Sequence, residues 1–298
     1  MLVALTMLAV LSQAWRSLPA LMVTPLQTSL DASARDLALF AAAFHFGFAL
    51  VQIPVGIALD LYGIRRTVTV AFLLTVVGAV LSALAPDLTT VIIGQALIGV
   101  GCSPAFVAAI VFVSKRFASA RFATLSALVL GASGLGLLVT GTPMAWVIDT
   151  WSWRTGFAVL AATSLLSWLA VVAWVRDGPR DTTTESPAGA LAQVGSLLRM
   201  PHTAGILILG AVSYAAFLAL RAFWAVPLLI ERHQLSLIDS GHVLLAMSIA
   251  ALFGPPLFGR LTLDDRQRTH WIVACSLVMA ALIGLLAVLD RILPAATV

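Results

Sequence analysis

Apolar residues run through this chain in long, nearly unbroken stretches, not in strict alternation. They fall at about 2–26, 37–59, 67–86, 88–113, 122–148 and 155–175 and, after a polar segment, at about 202–229, 240–259 and 270–289. Each stretch can cross a hydrocarbon layer about 30 Å thick at about 1.5 Å per helical residue. Continuous runs exclude barrel strands and require helices, whose backbone groups are satisfied internally. The pattern predicts an all-α polytopic membrane protein, a helical bundle with nine transmembrane helices. The first stretch has no positive n-region and runs past Arg16 without a cleavage site, so it reads as a membrane helix and not as a signal peptide.

Composition agrees and then adds orientation. Of 298 residues, 61% are hydrophobic and 10% charged, with a mean hydropathy of +1.05. A soluble domain carries about 25% charged residues, and a disordered chain is not this apolar. Cys102 and Cys275 sit inside apolar runs, so they read as small core residues and not as a disulfide or zinc framework. No metal-ligand spacing, nucleophile–base set or phosphate-binding glycine loop stands out, so no catalytic residue, cofactor or metal is expected. The basic balance reports topology, not nucleic acid. Alternate loops hold Arg65, Arg66, Lys115, Arg116, Arg121, Arg176, Arg180, Arg199, Arg260, Arg266 and Arg268, against Arg35, Arg154, Arg232 and Arg291 on the other side. The basic-rich side faces the cytoplasm, which puts the N-terminus inside and, with nine spans, the C-terminus outside. The bilayer is the expected partner, in a bacterial inner (cell) membrane.

The long polar connector, with a Thr-Thr-Thr-Glu-Ser run at 182–186, divides six helices from three. Between the second and third helices the chain reads Gly56-Ile-Ala-Leu-Asp60-Leu-Tyr-Gly63-Ile-Arg65-Arg66. This resembles the signature loop of the major facilitator superfamily, departing from it at Leu61, where a basic residue is usual. Trp151-Ser-Trp153-Arg154 looks like the family's outer tryptophan–arginine element. Gly94-Gln95-Ala-Leu-Ile-Gly99-Val-Gly101 is close to its fourth-helix pattern, with Gln95 in place of arginine. The Gly-Pro element of drug–proton antiporters has no match in the fifth helix. A weak repeat supports the likeness: 52–66 and 255–268 each place prolines shortly before a glycine and an arginine nine residues after it. The resemblance implies a six-helix N-terminal half at 1–176, a cytoplasmic linker at 177–200, and three helices of an incomplete second half at 201–298. A full member has twelve helices, so the chain is expected to be truncated after the ninth.

The same resemblance implies a gate at the cytoplasmic mouth formed by Gly56, Asp60, Gly63, Arg65 and Arg66. There Gly56 would let helices approach closely and Asp60 would pair with arginines. Only Arg16 and Arg221 are charges well inside the spans, one in the first helix and one in the seventh. A buried guanidinium costs about 2.5–3.5 kcal/mol on insertion scales, and its planar fork suits carboxylate or phosphate. Both arginines are therefore expected to clamp an anion in a central cavity, with Gln13, Trp15, Tyr214 and Trp224 around it. The alternative is that they snorkel or brace backbone carbonyls. The arrangement is similar to the superfamily's organophosphate–phosphate branch. His45, whose ordinary pKa is near neutrality, is a candidate proton relay. The expected activity is secondary transport of a small organic or inorganic anion by alternating access, driven by a coupling ion or counter-substrate. An exporter of hydrophobic compounds and a non-transporting remnant or sensor stand as alternatives.

Overall fold

Prolines and glycines set where the apolar stretches break. The computed structural model describes residues 1–177, 189, 195–197, 199–259 and 265–292, and all regular structure among them is helical. The first stretch is α1 (Leu2–Ser17) and α2 (Pro19–Leu30), bent by 43°. Pro19 has no N–H and its ring crowds the preceding turn, so α1 ends there. Pro25, by contrast, lies within α2 without ending it. The second stretch is α3 (Ala34–Leu50) and α4 (Gln52–Tyr62), bent by 42° just before Pro54. Then follow α5 (Ile64–Ala83), α6 (Leu88–Cys102) and α7 (Ala105–Arg116), with Pro104 between the last two. The fifth stretch is interrupted twice, as α8 (Ser119–Ser133), α9 (Leu135–Val139) and α10 (Thr142–Thr150), with Gly134 and Gly141 at the joints. After α11 (Trp153–Trp174) comes α12 (Pro201–Leu218), which runs through a π-helical turn (Ala219–Trp224) into α13 (Ala225–Glu231). Last are α14 (Leu237–Gly259) and α15 (Asp265–Ile292).

Six helical spans are long and apolar enough to cross a bilayer among the described residues, or up to eight if each bent pair is one span. The expected count of nine is not confirmed; α14 enters as a shorter apolar helix, Leu237–Phe253, among the described residues. Most of the expected linker, and the 260–264 part of the second repeat, lie outside the described residues.

In the first six spans α5 packs on α6, α3 on α6, and α11 on α5, with α1 against α7, α9 and α11. Membrane helices gain little from excluding water from one another, so they associate where small residues let backbones meet. Gly47 of α3 lies against the Ala96 carbonyl and Gly99 of α6 against the Phe44 carbonyl, so a Cβ at either would overlap backbone. Gly56 was expected to make such an approach, yet a Cβ there would meet nothing within 4 Å. Close approach falls instead at Gly47 and Gly99 of the α3–α6 pair and at Gly78 and Gly94 between α5 and α6. Cys102 is buried as expected, whereas Cys275 is exposed on α15.

Among the described residues the two groups of spans meet most extensively from one end inward, where α14 also packs on α9 and the end of α8. There α10 packs along α14, where Thr142 Oγ1 and His242 Nδ1 lie 2.8 Å apart, and α2 packs against α13. This end carries the Asp31, Trp151 and Arg232 turns. Away from it α12 buries none of its residues.

Candidate functional site

The α1 break places Arg16 one residue before the end of a helix, half-buried inside the bundle. Its Nη1 donates to the Tyr214 hydroxyl of α12, a residue 198 positions away. The guanidinium carbon lies 4.6 Å from the Phe48 ring centroid, 5.7 Å from Tyr214 and 5.9 Å from Phe44. Such distances allow cation–π attraction, which strengthens as water is excluded. Arg16 Nε is buried without a hydrogen-bond partner. Aromatic faces and an incompletely satisfied cation therefore meet at one place, contributed by both groups of spans.

His45 lies within electrostatic reach of Arg16, and its Nδ1 is 3.4 Å from the Ala41 carbonyl of its own helix. Gln13, one turn before Arg16, is half-buried beside Gly136 of α9. Trp15 faces elsewhere. Its indole Nε1 donates to Ser164 Oγ at 2.9 Å and its ring stacks on Phe157, both on α11. Adjacent helical residues point about 100° apart, so Trp15 joins the α1–α11 contact and leaves the Arg16 cluster. Trp224 is 66% exposed and has no place in that cluster either.

Arg221 differs from Arg16 in its surroundings. It lies in the π-helical turn and is 1% exposed. Pro227 lacks the N–H that would meet the residue 223 carbonyl, and a widened turn absorbs this defect. The Arg221 Nη2 donates to the Leu137 carbonyl at 3.1 Å and to Ser248 Oγ at 2.6 Å. Ser248 also donates to Leu137 at 3.1 Å. That carbonyl is available because Gly141 N–H turns to Leu138 at the α9–α10 joint. Thr140 Oγ1 links the joint to Ser17 Oγ of α1 at 2.6 Å. Arg221 thus braces a broken helix, while its Nε and Nη1 remain buried and unpartnered. The two arginines are not an equivalent pair.

At the other end, the residues expected to gate are organised differently from that expectation. Gly63 has φ +84°, a conformation that favours glycine, and the Asp177 carboxylate fills the space where a Cβ would sit. Asp177 Oδ1 accepts from the Arg65 backbone N–H at 2.8 Å, and Arg65 Nη2 donates to the Val172 carbonyl at 3.1 Å. Asp60 is exposed and has no hydrogen-bond or ion-pair partner among the described residues. The carboxylate that meets this loop comes from the end of α11, a residue that sequence reasoning missed. Its one signal was an aspartate directly after an apolar span on the basic side.

Gln95 was noted only as a departure from an arginine pattern. It is fully buried, with both amide atoms unpartnered. Trp153-Arg154 stays on the opposite side from the gate: Arg154 Nη2 donates to the Ala85 carbonyl at 2.9 Å and its guanidinium lies 4.1 Å from the Trp153 centroid. Among the described residues no group of three His, Cys, Asp or Glu side chains is placed to hold a metal.

A multi-spanning helical bundle in two groups, with a half-buried guanidinium among aromatic rings where they meet, defines a polytopic membrane protein. The sequence profile of the Major Facilitator Superfamily matches residues 4–296, and the chain belongs to that superfamily. It is similar to the hexuronate transporter of Bacillus subtilis (strain 168), 24% identical over 163 residues, which are 55% of this chain and 39% of that protein. The chain therefore spans about two fifths of that relative's length. Its fold is similar to that of a D-xylose–proton symporter, with a TM-score of 0.66, 15% identity, and coverage of 85% of this chain and 66% of the other. The inward-open xylose transporter XylE from E. coli gives a TM-score of 0.60 at 17% identity, covering 85% of this chain and 67% of the other.

Proposed function

We propose that the protein is a secondary transporter of a small carboxylated solute, working by alternating access, with Arg16 as the anion-binding group. The observation that carries this is the Arg16 cluster, in which a half-buried guanidinium with an unpartnered Nε is ringed by Phe44, Phe48 and Tyr214 from both groups of spans. A carboxylate suits the fork and an apolar or sugar-ring face suits the aromatic walls. The relative's hexuronate is a solute of that kind. Under the orientation expected from loop charge, the more extensive contact lies on the outer side, which supports reading this arrangement as the inward-facing state of the proposed cycle. His45 beside Arg16 is the proposed proton relay, which makes uptake depend on a pH gradient.

The test is uptake of radiolabelled glucuronate into proteoliposomes. Arg16→Ala is expected to lower uptake about tenfold or more, since a charge-assisted hydrogen bond is worth about 1.5–3 kcal/mol. Tyr214→Phe, which removes only the hydroxyl, should cost less. Uptake unchanged in Arg16→Ala would remove the arginine from the site. A wild-type rate indifferent to an imposed pH gradient would remove His45 from the coupling.

A further inference from the structure

Beyond the proposed solute site, the molecule has a second basic concentration, at the loop that carries Arg65 and Arg66. A cavity of about 670 Å³ opens where the start of α5 meets the end of α11, lined by Arg65, Arg66, Thr69, Val70, Val172, Arg176 and Asp177. Three guanidiniums there face one carboxylate, and that carboxylate already accepts the Arg65 N–H. Arg65 spends one nitrogen on the Val172 carbonyl. Arg66 and Arg176 are exposed and have no hydrogen-bond partner among the described residues. Thr69 Oγ1 is buried without a partner. Among the described residues the cavity is thus a cationic recess with one carboxylate.

What borders the recess identifies the source of that oxygen. Val70, Leu73, Val77 and Val80 are all exposed and repeat along one face of α5, starting at the cavity. From Val70 to Val80 that face rises about 15 Å at about 1.5 Å per residue, the depth of one leaflet of a hydrocarbon core about 30 Å thick. Trp174 of α11, 67% exposed, lies beside the same end, as aromatic residues do at membrane–water interfaces. An apolar strip one acyl chain long, ending in a cluster of arginines, has the shape of a single phospholipid.

We infer that the Arg65–Arg66–Arg176 recess binds the phosphate of an anionic phospholipid in the cytoplasmic leaflet, with an acyl chain lying along Val70–Leu73–Val77–Val80. Basic recesses between helices on this side recognise anionic headgroups, each arginine near the surface contributing about 1 kcal/mol, or about fivefold in affinity. The site stands independently of the transported solute.

Native mass spectrometry of the full chain released from mixed micelles counts retained lipids directly. With phosphatidylglycerol and phosphatidylcholine supplied equally, the wild type is expected to keep one phosphatidylglycerol preferentially. Arg66→Ala and Arg176→Ala should each lower that retention about fivefold. Lys115→Ala/Arg116→Ala, a basic pair outside the recess, should leave it unchanged, and circular dichroism confirms that each variant is folded. Equal retention of the two lipids overturns the inference, as does an equal loss in the Lys115/Arg116 control, which signals diffuse charge. Displacement of the lipid by millimolar inorganic phosphate alone also overturns it, because the recess would then be a free-phosphate site.

Discussion

Arg16 and Trp15 are neighbours in sequence with opposite fates, and the reason is angular. A charge in the middle of an apolar span is visible from sequence because its insertion cost has to be met by something. The face on which its neighbour falls is not visible without knowing which helices lie on each side. So the charge of Arg16 could be singled out in advance, whereas the contact of Trp15 with α11 could not. Tyr214 was legible through its helical register with Arg221, but its partner is Arg16. Gln95 shows another limit: a single substitution in a pattern says nothing about whether the amide finds partners. It finds none. A buried unsatisfied polar group costs about 1–3 kcal/mol, so Gln95→Leu, of similar size, is expected to raise stability by an amount of that order. A thermal melt in detergent checks this, and a midpoint that stays level or falls would mean that water meets the amide.

Helix breaks follow from residues that can be read directly, such as Pro19, Pro54, Pro104 and Gly141. Which surfaces then touch cannot be read that way. Gly56 and Gly47 look alike in sequence, yet only Gly47 lies against backbone. Gly47→Ala is therefore expected to destabilise the α3–α6 contact by about 1–3 kcal/mol through overpacking. Gly56→Ala should be neutral or stabilise by up to about 1 kcal/mol, and melts of the two variants side by side decide the matter. Asp177 was missed for a similar reason, since its contact with Arg65 spans 112 residues. The α6 start offers a pH test. Asp87 accepts from the Thr90 backbone N–H at 2.8 Å, and this hydrogen bond holds its carboxyl below the ordinary value of 3.8. A depressed folded pKa stabilises fully above the unfolded value and loses that contribution as pH falls through the folded one. Asp87→Asn keeps a capping oxygen but does not titrate. Melts from pH 6 to pH 3 should run parallel in the two proteins until about pH 4, below which the wild type falls faster.

On the scale of the whole molecule, the contact between the two groups of spans along α10–α14 is the feature that the proposed alternating access has to undo. Thr142 and His242 face each other across it. A Thr142→Cys/His242→Cys pair, in a Cys275→Ser background, joined by a short cleavable thiol cross-linker, is expected to stop uptake. Cleaving the linker should restore it. Transport that continues with the linker in place would mean that this seam stays closed throughout the cycle. The Leu137 carbonyl, released by the joint behind that seam, carries a further consequence for how the protein is made. Its donors Arg221 and Ser248 follow it by 84 and 111 residues. At translation rates of about 5–20 residues per second, Arg221 emerges some 4–17 s after the carbonyl it serves. Until then Thr140 Oγ1 is its side-chain donor. The nascent first half therefore holds this carbonyl with a single side-chain donor until the spans that carry Arg221 and Ser248 arrive.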